Sequence, residues 1–541
     1  AGAAGPPKGK MVWHGHDGTA QSAERGRGMT GAPRVLMIGL DAAEPTLIER
    51  WIADGTLPAL ARLRARGSYR RLASSAAWLA GSPWPTFYTG TSPAEHGLYH
   101  FLQWDALRQT MVRPAPDWLP VQPFWRVLGR EGPRCLIVDA PSTYAPEPFH
   151  GVEIGGFASH DHLAPPGSHP TETMREIERD IGPSPLSEEA VGPQSVRTLL
   201  ALADDLDRAT WCVTEITLRA IRREVFDLCL VVFGATHRAG HKLWDRSGAA
   251  GAVTPADHDG LAGALRQVYR TCDEAISRLV DAAGDDATVL VFSLHGMGPN
   301  TSRAEILPAM LHAALEGRAP REPELRPTLQ RLRRVLPLEL RHQLKHSLPR
   351  PWQDRLTTFW RTGPGGFTGR QAFCLHADLQ GYIRLNLRGR EVAGTVAPGR
   401  EAERLLARIA AGLRSFRDAD TGAPLAADVV RSEDVFAAGR RRDLLPDLVV
   451  LWADAPASRH RAIQSDGLGT IPWPTPGRNP DGRAGNHRGE GFLLAAGAGL
   501  REDAEPGSAD IRDLAPTVCA LLGVPPPWPM EGGPLAPSAQ S

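Results

Sequence analysis

Short runs of consecutive apolar residues alternate along the chain with segments whose apolar residues recur at helical spacing. The clearest apolar runs are Val35–Leu40, Cys135–Val138, Leu228–Phe233, Thr288–Phe292 and Leu448–Leu451. Such runs are typical of strands buried on both faces of a parallel sheet. Residues 45–55 and 57–67 have the helical spacing, and each segment ends in a glycine. The alternation predicts an α/β fold in which a mostly parallel central sheet is flanked by helices.

Two later stretches depart from this alternation. Residues 303–370 are rich in arginine, helical in tendency and broken by prolines, which predicts a helical insertion that caps the sheet edge. Basic runs of this kind are usually solvated helix faces. Residues 381–396 have the pattern of a β-hairpin with a glycine-containing turn. We expect one large domain over residues 33–535, a disordered extension over 1–32 and a flexible tail over 536–541.

The composition is that of an ordinary globular protein, with 42% hydrophobic and 23% charged residues. Basic and acidic residues balance at 61 each, so the charge gives no indication of a nucleic-acid or membrane partner. Apolar runs of membrane-spanning length and a signal-peptide pattern are both missing from the sequence. The six cysteines show no CxxC pairing, which is typical of free thiols in a reducing compartment. We therefore expect a cytoplasmic protein, and its oligomeric state stays open.

Five side chains of the kinds that bind metals lie where predicted strands end or begin. Asp41 follows the first strand, His237 and His241 follow LCLVVF, His295 follows TVLVFS, and His487 precedes FLLAAGAG. Imidazole and carboxylate bind zinc-like divalent ions, and open α/β sheets build their active sites at the carboxyl ends of their strands. Taken singly, Asp41 can be a helix N-cap and the histidine pair a structural pair. Their shared position predicts a metal site.

Ser82, in LAGSPWPTFYTG, is the candidate nucleophile. It lies just before a predicted helix, whose N-terminus favours anions. A bound metal ion would make its hydroxyl nucleophilic at neutral pH. A serine at this position is equally typical of a plain N-cap, so both interpretations stay open.

Several motifs, in order from Arg34 to about Leu535, resemble the alkaline phosphatase superfamily, and specifically its type I phosphodiesterase/nucleotide pyrophosphatase branch. The segments that carry the resemblance include VLMIGLDAAEP, WPTFYTGTSPAEHGLYHF, FGATHRAGHKLW, FSLHGMGP and GNHRGEGFLLAAG. The resemblance implies an alkaline-phosphatase-like catalytic domain that hydrolyses phosphate esters, diesters in particular. It also implies one or two divalent metal ions, most often zinc, and a small phosphorylated or nucleotide-like substrate rather than a nucleic acid polymer.

The resemblance also assigns ligands to the two metal sites. Asp41 and His295 would hold one ion, which also touches the nucleophile, and His237, His241 and His487 would hold the other. Both ions would neutralise charge on the phosphoryl oxygens.

The chain departs from the family pattern at three positions. Leu294 stands where the family has the aspartate of its D-H-G motif, and His237 stands where the ligand pair usually begins with aspartate. Counting back nine residues from Thr89 places the family's nucleophile at Ala80. We expect weaker metal binding beside Asp41 as a result. Ser82, Thr86 and a water molecule are the remaining candidates for the attacking group.

Two alternative functions fit the same motifs. One is a sulfatase, phosphonate hydrolase or phosphomonoesterase of the same fold, although the C-x-P-x-R motif of sulfatases is missing from the sequence. The other is a non-catalytic member that binds a phosphorylated ligand, which the lost carboxylate at position 294 would favour. Metal content helps to distinguish these alternatives, because two equivalents favour the enzyme, whereas one or none favours the binding protein or a one-metal variant of the enzyme.

Overall fold

The computed structural model describes residues 34–535, except for 321–351, 353–366, 498–508 and short gaps at 120, 160–162, 187–188, 190–191, 252–253, 368, 437, 475, 477–478 and 480. The predicted extension, the predicted tail and most of the predicted helical insertion therefore lie outside the described residues.

The described residues form twenty strands and thirteen helices of the α type. The strands are β1 (Val35–Leu40), β2 (Gly67–Ala73), β3 (Gln103–Asp105), β4 (Thr110–Val112), β5 (Cys135–Val138), β6 (Gly151–Gly155), β7 (Gly167–His169), β8 (Leu228–Phe233), β9 (Thr288–Ser293), β10 (Gly296–Pro299), β11 (Ala372–Leu375), β12 (Gly381–Leu385), β13 (Arg417–Asp418), β14 (Ala426–Arg431), β15 (Leu448–Trp452), β16 (Ala462–Ser465), β17 (Gly469–Pro472), β18 (Gly485–Arg488), β19 (Glu490–Ala496) and β20 (Ala509–Asp510). The helices are α1 (Pro45–Ala53), α2 (Pro58–Ala65), α3 (Pro83–Thr89), α4 (Pro93–His96), α5 (Phe124–Glu131), α6 (Thr171–Asp180), α7 (Val196–Arg223), α8 (Ala235–Leu243), α9 (Pro255–Ala283), α10 (Leu307–Glu316), α11 (Arg400–Arg414), α12 (Ser432–Val435) and α13 (Leu514–Leu522).

The main sheet has nine strands in the order β20-β2-β19-β9-β1-β8-β5-β6-β7. Its centre is parallel, because β1 pairs in parallel with both β8 and β9, and β5 pairs in parallel with β8 and β6. The predicted α/β class with a mostly parallel central sheet is therefore confirmed. Parallel strands align their carboxyl ends, so the segments after β1, β5, β8 and β9 meet at one edge of the sheet.

Burial on both faces explains why β1 is an uninterrupted apolar run. Leu36, Ile38 and Leu40 pack into the hydrophobic cluster that includes α7 and α9, whereas Val35 and Met37 pack into the opposite cluster with α3, α5 and α13. Successive side chains of a strand point to opposite faces, so a strand between two helical layers needs apolar residues at every position. The same argument applies to β5, β8 and β9, whose residues are all buried.

Two predictions about the second half of the chain need correction. The apolar run Leu448–Leu451 does form a strand, β15, but this strand lies in a separate four-stranded antiparallel sheet of order β11-β12-β15-β14 and not in the main sheet. Residues 381–396 do not form a hairpin, because β12 pairs with β11 and β15 and the following residues return only through isolated bridges. An apolar run indicates burial on both faces but not the sheet that buries it. Here α10 and α11 cover one face of the smaller sheet, and aromatic residues cover the other.

Every helix among the described residues is too short or too polar to span a lipid bilayer.

Candidate metal centre

Each predicted metal-ligating residue is buried near the carboxyl edge of the main sheet. Asp41 follows β1, His237 and His241 lie in α8 directly after β8, His295 lies between β9 and β10, and His487 lies in β18. Their exposed fractions are 2% for Asp41, 4% for His237, 0% for His241, 2% for His295 and 6% for His487. The structure therefore brings together all five residues that the sequence singled out as ligands.

The Nε2 atom of His237 lies at the centre of the cluster. It is 2.9 Å from Nε2 of His241 and 3.0 Å from Nε2 of His487. The His295 ring completes the group, with its centroid 4.6 Å from that of His487 and 6.0 Å from that of His237. His237, His295 and His487 each offer a ligand atom within 4.8 Å of the others.

The hydrogen-bond partners of Nδ1 in His237 and His241 determine which nitrogen of each ring carries the lone pair. Nδ1 of His237 is 2.6 Å from the carboxylate of Asp41, and Nδ1 of His241 is 2.9 Å from the carbonyl oxygen of Gly485. Both partners only accept hydrogen bonds, so each Nδ1 carries a proton. In the neutral rings, the two Nε2 lone pairs then face each other at 2.9 Å. Only a positive charge shared between them, as a proton or a metal ion, makes that contact favourable.

The donor set fits a divalent metal ion of the zinc type. Neutral imidazoles bind such ions through one nitrogen while the other nitrogen donates to a carboxylate or carbonyl, which is the arrangement of His237 and His241. Burial, together with repulsion from His295 and His237, holds the pKa of His487 well below its ordinary value. His487 is therefore neutral at physiological pH, as a ligand must be.

Asp41 supports the cluster as an anion. Burial alone would raise the pKa of its carboxyl group, but the charge and hydrogen bond of His237 hold that pKa well below the ordinary value. Nε1 of Trp84 donates to the other carboxylate oxygen at 2.9 Å. The contact with His237 makes Asp41 an orienting partner for that ring, which the ligand assignment from sequence did not include.

A glycine allows β18 to approach α8 closely. A β-carbon at Gly485 would lie 2.2 Å from the carbonyl oxygen of Gly240, a separation that no side chain tolerates. The close approach lets the Gly485 carbonyl accept the hydrogen bond from His241 and brings His487 against His237.

Ser82 does not face the cluster. Its Oγ lies 2.7 Å from the Leu79 carbonyl oxygen and 2.7 Å from Oγ of Ser75, and the side chain is fully buried. The cavity beside the histidines is lined by Ala80, two residues earlier. Thr86 is directed to Ser75 and His96. The structure thus gives no support for Ser82 or Thr86 as the nucleophile, because both hydroxyls are hydrogen-bonded within the protein and neither residue lines the cavity.

Leu294 is buried in the hydrophobic cluster that contains Leu290, Phe292 and Trp84, and its exposed fraction is 1%. The position of a family carboxylate is therefore occupied by a packed apolar side chain. Fewer anionic ligands surround His295 as a result, which favours one firmly held ion over two.

A second polar group on the cavity wall was missed in the sequence. His100, His376 and Asp378 offer ligand atoms within 4.8 Å of one another, and His100 and Asp378 line the same cavity as the cluster. Nε2 of His100 is 3.0 Å from Asp378, which also pairs with Arg483 at 3.3 Å. The positive charge of the nearby guanidinium disfavours binding of a metal ion here. We therefore interpret this group as a hydrogen-bonded part of the cavity lining and not as a second metal site. Sequence reasoning missed this group because its residues come from two segments that lie far apart in the chain and share no motif.

The fold and the site together define a class of α/β proteins that hold an imidazole-rich cluster at the carboxyl edge of a mostly parallel sheet. The chain belongs to the type I phosphodiesterase/nucleotide pyrophosphatase family, whose model matches residues 35–458. This match confirms the family predicted from the motifs. The protein is accordingly a hydrolase that acts on ester bonds.

Similar solved structures cover nearly the whole chain at low sequence identity. Phosphonoacetate hydrolase from Sinorhizobium meliloti, in complex with phosphonoformate, is 14% identical with a TM-score of 0.48, and the alignment covers 91% of this chain and 96% of that chain. An inactive variant of murine ectonucleotide pyrophosphatase/phosphodiesterase 5, in complex with AMP, is 12% identical with a TM-score of 0.46, covering 93% and 97%. No curated protein sequence matches the chain.

Proposed function

We propose that the protein hydrolyses small phosphate esters with the help of a divalent metal ion held by His237, His241 and His487. The observation that carries this proposal is the convergence of their three Nε2 atoms, two of which must present lone pairs. An all-nitrogen set of this kind suits zinc. His295 and Asp41 complete the site, and His295 would bind a second ion, if one is present, more weakly than the first.

The ion would supply two kinds of chemistry when bound, since it would neutralise charge on the phosphoryl oxygens and lower the pKa of a nearby water molecule. Asp41 keeps the proton of His237 on Nδ1 and so keeps Nε2 directed at the site. The walls formed by Pro83, Trp84 and Phe101 exclude bulk water and strengthen electrostatic interactions inside the cavity.

Water is the proposed nucleophile. Ala80 offers no hydroxyl to the cavity, and the Ser82 hydroxyl is bound to Leu79 and Ser75. Water attack opposite the leaving group gives a single displacement without a covalent enzyme intermediate. We therefore replace the expectation of a serine nucleophile with direct hydrolysis.

Charge favours phosphodiesters over phosphomonoesters as substrates. None of the described residues that line the cavity is lysine or arginine, and two of them, Asp41 and Asp378, are acidic. A diester carries one negative charge at phosphorus and a monoester nearly two at neutral pH. The smaller charge suits a site whose positive charge comes mainly from one ion.

Release of p-nitrophenol from bis-p-nitrophenyl phosphate tests this function. We expect zinc-loaded protein to hydrolyse this diester, to lose the activity on treatment with a chelator, and to regain it when zinc returns. Hydrolysis of p-nitrophenyl phosphate under the same conditions should be slower. Activity that survives chelation would contradict the metal requirement, and metal-loaded protein that binds phosphate without turnover would contradict the hydrolytic function.

A further inference from the structure

A loop of unusual backbone conformation lies on the wall of the cavity. It comprises residues 139–144, directly after β5, and contains two non-glycine residues in the left-handed region: Asp139 at φ 58° and Ser142 at φ 55°. This conformation is unfavourable for a residue with a β-carbon. Residues held in it cluster at functional sites, where the surrounding structure maintains them.

The surrounding structure holds this loop at Asp139 and at Ser142. The carboxylate of Asp139 accepts hydrogen bonds from the backbone N–H groups of Phe157 and Ala158, both at 2.7 Å. The hydroxyl of Tyr88 donates to the carbonyl oxygen of Ser142 at 3.0 Å. The loop is therefore positioned by the fold before any ligand binds.

Ser142 is one of the residues that line the cavity. Among the described residues that line the cavity together with Asp41, His237, His295 and His487, Ser142 is the only one with a hydroxyl. That hydroxyl makes no hydrogen bond to any described residue, in contrast to the hydroxyl of Ser82. A glycine would adopt the same backbone conformation without strain. The presence of serine instead of glycine at this strained position therefore points to a role for the serine side chain.

We propose that Ser142 is a substrate-binding residue of this site, whose hydroxyl donates a hydrogen bond to a non-bridging oxygen of the phosphoryl group. The inference rests on the proposed function and adds to it a residue outside the metal centre. A donor fixed in place stabilises the charge on the phosphoryl oxygens without rearrangement during the reaction. The metal ion and Ser142 would then contact different oxygens of the same group.

Two substitutions at Ser142 test the proposal with a matched control. S142A removes the hydroxyl, and S142G removes it while also relieving the left-handed conformation. Q109G relieves another left-handed residue, at φ 49° in the turn between β3 and β4 and outside the cavity-lining set. The measurements are equilibrium binding of orthovanadate to the zinc-loaded protein, zinc affinity, the thermal midpoint, and kcat/KM for bis-p-nitrophenyl phosphate.

We expect both Ser142 variants to bind orthovanadate about tenfold to a hundredfold more weakly, which corresponds to one hydrogen bond to a charged group. We expect kcat/KM to fall by a similar factor, with zinc affinity unchanged. S142G should unfold at the same temperature as S142A or a higher one, because it relieves strain. Q109G should bind vanadate and turn over substrate like the unmodified protein.

Each other outcome has a definite consequence. Unchanged vanadate affinity in both Ser142 variants overturns the proposal, as does a loss of vanadate affinity that is matched by a loss of zinc affinity. If the unmodified protein binds vanadate through Ser142 but hydrolyses no ester, the contact is supported and the proposed hydrolytic function fails. If it binds no vanadate when loaded with zinc, both are overturned.

Discussion

Replacement of His237 by alanine is expected to lower kcat/KM for bis-p-nitrophenyl phosphate by about 10³-fold and to abolish stoichiometric zinc binding. His237 contacts both other histidines of the proposed zinc site through Nε2, so its loss removes the central ligand. Replacing a residue that only hydrogen-bonds to a metal ligand typically lowers metal affinity or activity 10- to 100-fold. Replacing a direct ligand should lower them further. Steady-state kinetics and the metal content of dialysed protein measure the two effects.

The matched control for this variant is H258A. His258 lies in α9 with 52% of its side chain exposed, and its loss should change neither zinc content nor activity. The thermal midpoint of H237A should also be measured, because a buried cluster is being altered. Full zinc content and full activity in a folded H237A protein would disprove the assigned role of His237.

Replacement of Glu153 by alanine is expected to destabilise the protein strongly, because Glu153 forms a buried ion pair with Arg126. Nε and Nη2 of Arg126 lie 2.7 Å and 2.9 Å from the two Glu153 carboxylate oxygens, and both side chains are 2% exposed. E153A would leave the guanidinium buried without its counter-charge. We expect the free energy of unfolding to fall by about 3–5 kcal/mol.

Denaturant unfolding of E153A against R179A measures this effect. Arg179 pairs with Asp180 on the surface, with 68% of the arginine side chain exposed, and its removal should leave the free energy of unfolding close to that of the unmodified protein. Arg126 also donates to the Tyr144 carbonyl at 2.9 Å, so E153A should loosen the loop that carries Ser142 and reduce turnover as well. Equal unfolding midpoints in E153A and R179A would show that the buried pair contributes nothing to stability.

The central sheet could be predicted because its strands are buried on both faces. The apolar runs of β1, β5, β8 and β9 have no solvent-facing positions, which makes them visible without structural information. The same property made β15 misleading, since α10, α11 and an aromatic cluster bury it equally well in a separate sheet. A run of apolar residues indicates that a strand is buried, whereas the choice of its partner strands depends on contacts between distant segments.

The convergence of the five candidate side chains could also be predicted, since residues at the carboxyl ends of parallel strands must lie close together. The contacts among these side chains could not be predicted. The bond between Asp41 and His237 depends on the orientation of α8 after β8, and the direction of the Ser82 hydroxyl depends on the turn before α3. Ser142 carried no sequence signal, because its left-handed backbone arises from the loop's anchoring by residues from α3 and from the segment after β6.

Anomalous diffraction at the zinc absorption edge, from crystals of the zinc-loaded protein, shows whether an ion lies between the three histidines. The predicted result is a single strong peak about 2.0–2.1 Å from the Nε2 atoms of His237, His241 and His487, with a weaker peak or none beside His295. A cluster without anomalous signal at saturating zinc, or a peak coordinated by other residues, would show that these histidines do not form the zinc site.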